Sequence, residues 1–109
     1  MTSTLAAVLH IASFKWKPEV TDEQIDAMTA ALYEMRAQIP EIKSYVAARN
    51  LHLRPAGADY GVAAIVDDQA GLDAYLDHPL HLAVYEQYLG KMIDVRSAAQ
   101  LPIDAGSFA

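Results

Sequence analysis

From Leu5 to Trp16 nearly every position is apolar or β-favouring, with Leu5, Ala7, Leu9 and Ile11 on one face and Ala6, Val8, His10, Ala12, Phe14 and Trp16 on the other. Two covered faces predict a central strand. After Lys15-Trp16-Lys17-Pro18-Glu19 closes it, Thr21-Asp22-Glu23-Gln24 matches a capping box, and Ile25, Met28, Leu32, Met35 and Ile39 recur at helical spacing. Pro40 ends that helix, because proline disfavours helix at the residue before it and has no N–H to donate. Met28 and Met35 read as core filler.

Between Ile42 and Leu53, apolar Tyr45, Val46, Leu51 and Leu53 mix with Lys43, Arg49, Asn50 and His52, as in a half-exposed strand and its extension. Arg54 to Asp59 is a turn by composition, Tyr60 to Val66 a short buried strand, and the pair suggests an antiparallel hairpin. His52 reads as a solvated polar residue. A second helix is predicted to start near Asp68, to break at His78-Pro79 and to resume with Pro79 in its first turn, where a missing N–H does no harm. Leu82, Tyr85, Leu89 and Met92 form its expected apolar stripe, ending near Gly90 to Asp94. Val95 to Ile103 returns to a strand-like pattern interrupted by Pro102, and Ala105 to Ala109 looks like a loose tail.

Strand, helix, strand, strand, helix, strand is the ferredoxin-like βαββαβ order, an α+β fold with an antiparallel sheet and helices on one face. Because the first strand is apolar on both faces, a lone chain would leave an apolar sheet face in water; pairing two sheets would cover it. A homodimer is therefore expected. No linker or repeat divides the 109 residues, which read as one domain.

Composition then narrows the chemistry. Apolar residues make up 53% and charged ones 20%, a globular balance, and no apolar run nears the ~20 residues needed to cross a bilayer. Met1 to Thr4 carries no basic segment ahead of the apolar stretch, so no signal peptide is read and the cytoplasm is the default address. A formal charge of −6, with eight Lys and Arg, argues against nucleic acid or anionic membrane as partner. The absence of cysteine excludes disulfides, thiolate metal sites and cysteine nucleophiles.

Proton chemistry concentrates in Tyr75-Leu76-Asp77-His78-Pro79-Leu80-His81, which is also a natural helix boundary. His10 is the one titratable group on its strand face, either a satisfied core histidine or a desolvated imidazole lining a cavity. Tyr75 reads equally as a core aromatic and His78 as a cap at the helix break. Asp77, His78 and His81 also offer metal-ligand types, but Pro79 between the histidines disturbs their shared face and a third ligand is wanting, so no metal is expected.

The segments His10-Ile11-Ala12-Ser13-Phe14-Lys15, Ile39-Pro40-Glu41-Ile42 and Tyr75 to His81 together resemble the stress-responsive A/B barrel (Dabb) family over about residues 5 to 104. The resemblance implies a dimeric α/β barrel built from two ferredoxin-like chains. The family's plant polyketide cyclases close a linear polyketide by aldol condensation without metal or organic cofactor. By likeness to them, His81 would be the general base, Tyr75 would orient it or the substrate, and His10 would stabilise the reacting oxygen. His78 matches a further histidine of the motif and, with Phe14, Trp16 and Val62, is expected to contact a carbonyl, aromatic or polyketide-like ligand. Two other readings stay open: a non-catalytic, stress-protective ligand-binding barrel, and a cofactor-independent monooxygenase of the wider dimeric-barrel group.

Overall fold

A computed structural model describes residues 7–104 and 106–108. In chain order the elements are β1 (Ala7–Trp16), α1 (Asp22–Ala37), β2 (Ser44–Arg49), β3 (Tyr60–Val66), α2 (Gln69–Leu76), α3 (Pro79–Val84), a π-helical turn (Tyr85–Leu89), α4 (Gly90–Met92) and β4 (Ile93–Ile103). The strands form one antiparallel sheet in the order β2-β3-β1-β4, the ferredoxin-like α+β arrangement. The expected start of β1 at Leu5 lies outside the described residues.

The capping box forms as its spacing predicts. Gln24 N–H donates to Thr21 Oγ1 at 3.2 Å, and Thr21 N–H returns a bond to Gln24 Oε1 at 2.8 Å. Ile25, Met28, Leu32 and Met35 then bury the inner stripe of α1 against the sheet. Tyr60, Val62, Ala64 and Val66 of β3 meet them from below, alternating with half-buried Gly61, Ala63 and Ile65. The opposite sheet face carries Leu9, Ile11, Ala63 and Ile65 together with Val46, Val95 and Leu101, the last three 50%, 54% and 45% exposed.

Four expectations are corrected. The second strand ends at Arg49, so Leu51 and Leu53 are not its extension and stand 79% and 82% exposed. Asn50 causes this: its Oδ1 accepts from His52 N–H at 2.9 Å, its Nδ2 donates to Ala58 O at 2.7 Å, and His52 turns out of the strand at φ 52°. Leu82 is exposed rather than part of the buried stripe, which runs through Val84, Leu89 and Met92. The π turn delays the helical phase, with Gly90 N–H donating to Tyr85 O five residues back. Pro102 does not interrupt β4, because β4 is an edge strand where a missing N–H is tolerated. Gly106 to Phe108 is a turn closed on Asp104, whose Oδ1 accepts from Gly106 N–H at 2.9 Å and whose N–H donates to Ser107 Oγ at 3.0 Å; Ala105 and Ala109 of the expected tail lie outside the described residues.

Candidate functional site

The register of the sheet sets one row of inward side chains: Tyr45 on β2, Ala64 on β3, His10 on β1 and Gln100 on β4. The next row is Ala47, Val62, Ala12 and Ala98, and the one beyond it ends in Phe14 and Arg96. Small residues in the middle row leave space beneath the helices, whereas Phe14 and Tyr60 fill the row behind. A cavity of about 380 Å³ results, with His10, Tyr75, His81, Tyr45, Arg96 and Gln100 as its polar lining. Ala12, Val62 and Ala98 line its floor, and Phe14, Leu32, Leu76, Tyr85 and Leu89 complete it.

The break between α2 and α3 aims the motif. His78, preceding Pro79, is held extended at φ −62° and ψ 137°, and its Nδ1 accepts from Leu80 N–H at 3.1 Å, capping α3. That bond takes the N–H which would otherwise serve the Leu76 carbonyl one helical turn back. His81 satisfies the carbonyl instead: its Nδ1 lies 2.9 Å from Leu76 O, and since a carbonyl only accepts, Nδ1 carries the proton. In the neutral ring Nε2 is then a free base.

His10 is set the opposite way. The Gln100 side-chain amide nitrogen lies 3.0 Å from His10 Nδ1 and only donates, so Nδ1 accepts and the proton sits on Nε2. Neither Nε2 has a hydrogen-bond partner among the described residues. Burial, and secondly the nearby His81, hold His10 below the usual imidazole range. Burial also holds His81 low; the Leu76 carbonyl and the Asp77 carboxylate pull it back up, and Arg96 and His78 push it further down.

Tyr75 stands between the two imidazoles, edge-on to His10 at 6.0 Å and to His81 at 5.1 Å between ring centres. It is 2% exposed, and burial pushes its phenol up to about 12, so it is a neutral donor at ordinary pH. Tyr45 approaches it without the geometry of a hydrogen bond, and the Tyr45 hydroxyl is buried with no partner among the described residues. Burial, the first cause, and the neighbouring Tyr75 keep that phenol protonated.

His10, Tyr75 and His81 thus share one cavity, which Phe14 and Val62 also line. His78 and Trp16 are not among its lining residues: His78 caps α3, and Trp16 packs on Phe14 and Tyr60 at 5.8 and 5.5 Å. Among the described residues no three of His, Asp and Glu converge as a metal site would require. Tyr45, Tyr85, Arg96 and Gln100 were not foreseen. Strand alternation places Tyr45 inward, but only the β1–β4 register brings Gln100 opposite His10.

The chain is 30% identical over 78 residues to the uncharacterized protein SCO4036 of Streptomyces coelicolor, an alignment spanning 70% of this chain and 80% of that one. Among solved structures, a dimeric ferredoxin-like protein of unknown function from Thermobifida fusca is 35% identical, with TM-score 0.83 over 90% of this chain and 92% of that one. A hydroxynitrile lyase from Passiflora edulis shares the fold at 17% identity, with TM-score 0.80 over 93% and 96% of the two chains. The model of the stress responsive A/B barrel domain matches residues 8–100, nearly all of the sheet and every helix, and the chain belongs to that family, Dabb.

Proposed function

We propose that the chain is an enzyme that moves a proton on a small carbonyl compound held in this cavity, using side chains alone. The opposite polarity of the two imidazoles carries the reading: His81 presents a bare Nε2 and His10 an Nε2–H. In the proposed step His81 takes a proton from a carbon next to a carbonyl, the electron pair of that C–H bond passes to the carbonyl oxygen, and His10 donates a hydrogen bond to the oxyanion. Tyr75, wedged against both rings, holds them in place. The resulting enolate attacks a second carbonyl in an aldol closure, or is reprotonated elsewhere in an isomerisation, and the imidazolium returns its proton. A positioned base contributes roughly 10²–10⁴-fold, and an oxyanion donor about 10²–10³-fold.

Two such chains are taken to pair through the sheet face that bears Val46, Val95 and Leu101, since water contact over so much apolar surface is unfavourable. The Thermobifida fusca relative, described as dimeric, supports this.

The test of the chemistry needs no natural substrate. Benzoylacetone or acetophenone is incubated with protein in deuterium oxide, and loss of the α-proton signal is followed by NMR. Exchange is expected above buffer background and to fall at least roughly tenfold in His81→Ala and in His10→Ala. Exchange at background, or exchange indifferent to both substitutions, refutes the proposal and leaves the non-catalytic binding barrel.

A further inference from the structure

Charge is unevenly distributed around the cavity. The chain has 14 acidic residues against eight Lys and Arg, yet no carboxylate lines this space and one guanidinium, that of Arg96, does. Arg49 is paired with Asp22 and Asp26, and Lys43 with Asp67. Arg96 has no acidic partner among the described residues; its guanidinium carbon sits 5.6 Å from the centre of the Tyr85 ring, within cation–π range. Tyr85 packs closely on Gly90: a Cβ there would sit 3.1 Å from both its ring and its carbonyl oxygen, tighter than ordinary contact, so a larger residue would require the ring to shift. The π turn therefore builds a platform on which the cation rests, and the guanidinium N–H groups make no hydrogen bond among the described residues.

Placement along β4 adds a length scale. Arg96 and Gln100 are four residues apart on the same face, roughly 13 Å between Cα atoms, with Ala98 between them. A molecule lying across Ala98 would have one end at Arg96 and the other at the His10–Gln100 pair. We propose that Arg96 makes the cavity selective for organic acids, holding a carboxylate at one end of the substrate while the reacting carbonyl lies at His10 and His81. A planar guanidinium matches a carboxylate with two parallel hydrogen bonds, which a neutral amide or ester cannot reproduce. The inference rests on the cavity being the substrate site, as proposed above, and not on which reaction follows.

The experiment compares para-acetylbenzoate with para-acetylbenzamide by calorimetric titration of the full-length protein at low salt. The acid is expected to bind roughly tenfold more tightly than the amide. Arg96→Gln should bring the two to parity, and Arg96→Lys should keep part of the preference, since the charge remains and the fork is lost. Arg96 is exposed on an edge strand, so both variants should fold. Equal binding of acid and amide by the unaltered protein, a preference that survives Arg96→Gln, or no binding of the acid at millimolar concentration overturns the inference. His81→Ala and His10→Ala should retain the acid preference while losing deuterium exchange. Failure of the anion site and failure of the proton chemistry are thereby separate results.

Discussion

Replacing Gln100 with glutamate changes the His10 partner from a donor to an acceptor of nearly the same shape. In the native pair the amide nitrogen stands 3.0 Å from Nδ1 and holds the ring proton on Nε2. A carboxylate there requires a proton on Nδ1 and attracts the imidazolium. Two unit charges at 4 Å interact by about 4 kcal/mol at an effective dielectric near 20. Position 100 is exposed, so solvent screening reduces this to about 1–2 kcal/mol, equivalent to raising the His10 titration by roughly one pH unit. Burial sets the starting point below the ordinary imidazole value. Long-range proton–nitrogen NMR distinguishes the two tautomers directly. At pH above the titration, native His10 should be protonated on Nε2 and His81 on Nδ1, with His78, whose Nδ1 accepts from Leu80, matching His10. In Gln100→Glu the His10 proton should move to Nδ1 and the ring should titrate higher. A native His10 protonated on Nδ1, or one whose titration ignores the substitution, would refute the donor–acceptor assignment on which the proposed chemistry stands.

Three further outcomes are expected. Buried His10 and half-buried His81 both titrate below their unfolded value of about 6.5, so as pH falls through that value the unfolded chain takes up protons first. Their effect on stability is nil above the unfolded value and grows unfavourably below it, by up to about 1.4 kcal/mol per pH unit per ring, until pH passes the folded values. Urea midpoints should drop between about pH 6.5 and 5, above the carboxylate range, and more shallowly in His10→Gln; midpoints that hold steady or rise contradict the burial argument. Gly90→Ala should displace Tyr85 from beneath Arg96 and lower the affinity for para-acetylbenzoate several-fold, with the amide less affected; calorimetry on that variant decides it. Val46→Asp combined with Leu101→Asp should convert a dimer to monomer in light scattering, as charges on an apolar sheet face disfavour pairing; an unchanged mass would place the interface elsewhere.

Much of this molecule is readable from local chemistry. Thr21 and Gln24 announce α1, Asp68 starts α2, and the alternation of Tyr60, Val62, Ala64 and Val66 marks a strand with a buried face. His78-Pro79 gives the helix break, because the constraint of proline on its predecessor acts within two residues. Where the fold departs from the hydrophobic pattern, side-chain hydrogen bonds or helix phase override it. Asn50 captured the backbone beyond Arg49 in a turn, and a five-residue π step rotated Leu82 out of the buried stripe.

The sequence alone determined which chemistry was possible: no thiol, few cations, and three of four imidazoles on a strand face or at a helix break, the fourth, His52, lying in a polar turn. It also determined the order of elements, since caps, prolines and periodicity are short-range properties. Tertiary structure decided what each imidazole does. The His10 tautomer depends on Gln100, ninety positions away, through a strand register that no local pattern specifies. The cavity exists because Ala12, Val62 and Ala98 come from three strands to lie side by side, and Arg96 enters it by the same pairing. Hydrogen-bond polarity and empty volume are properties of neighbours in space, and folding alone makes these residues neighbours.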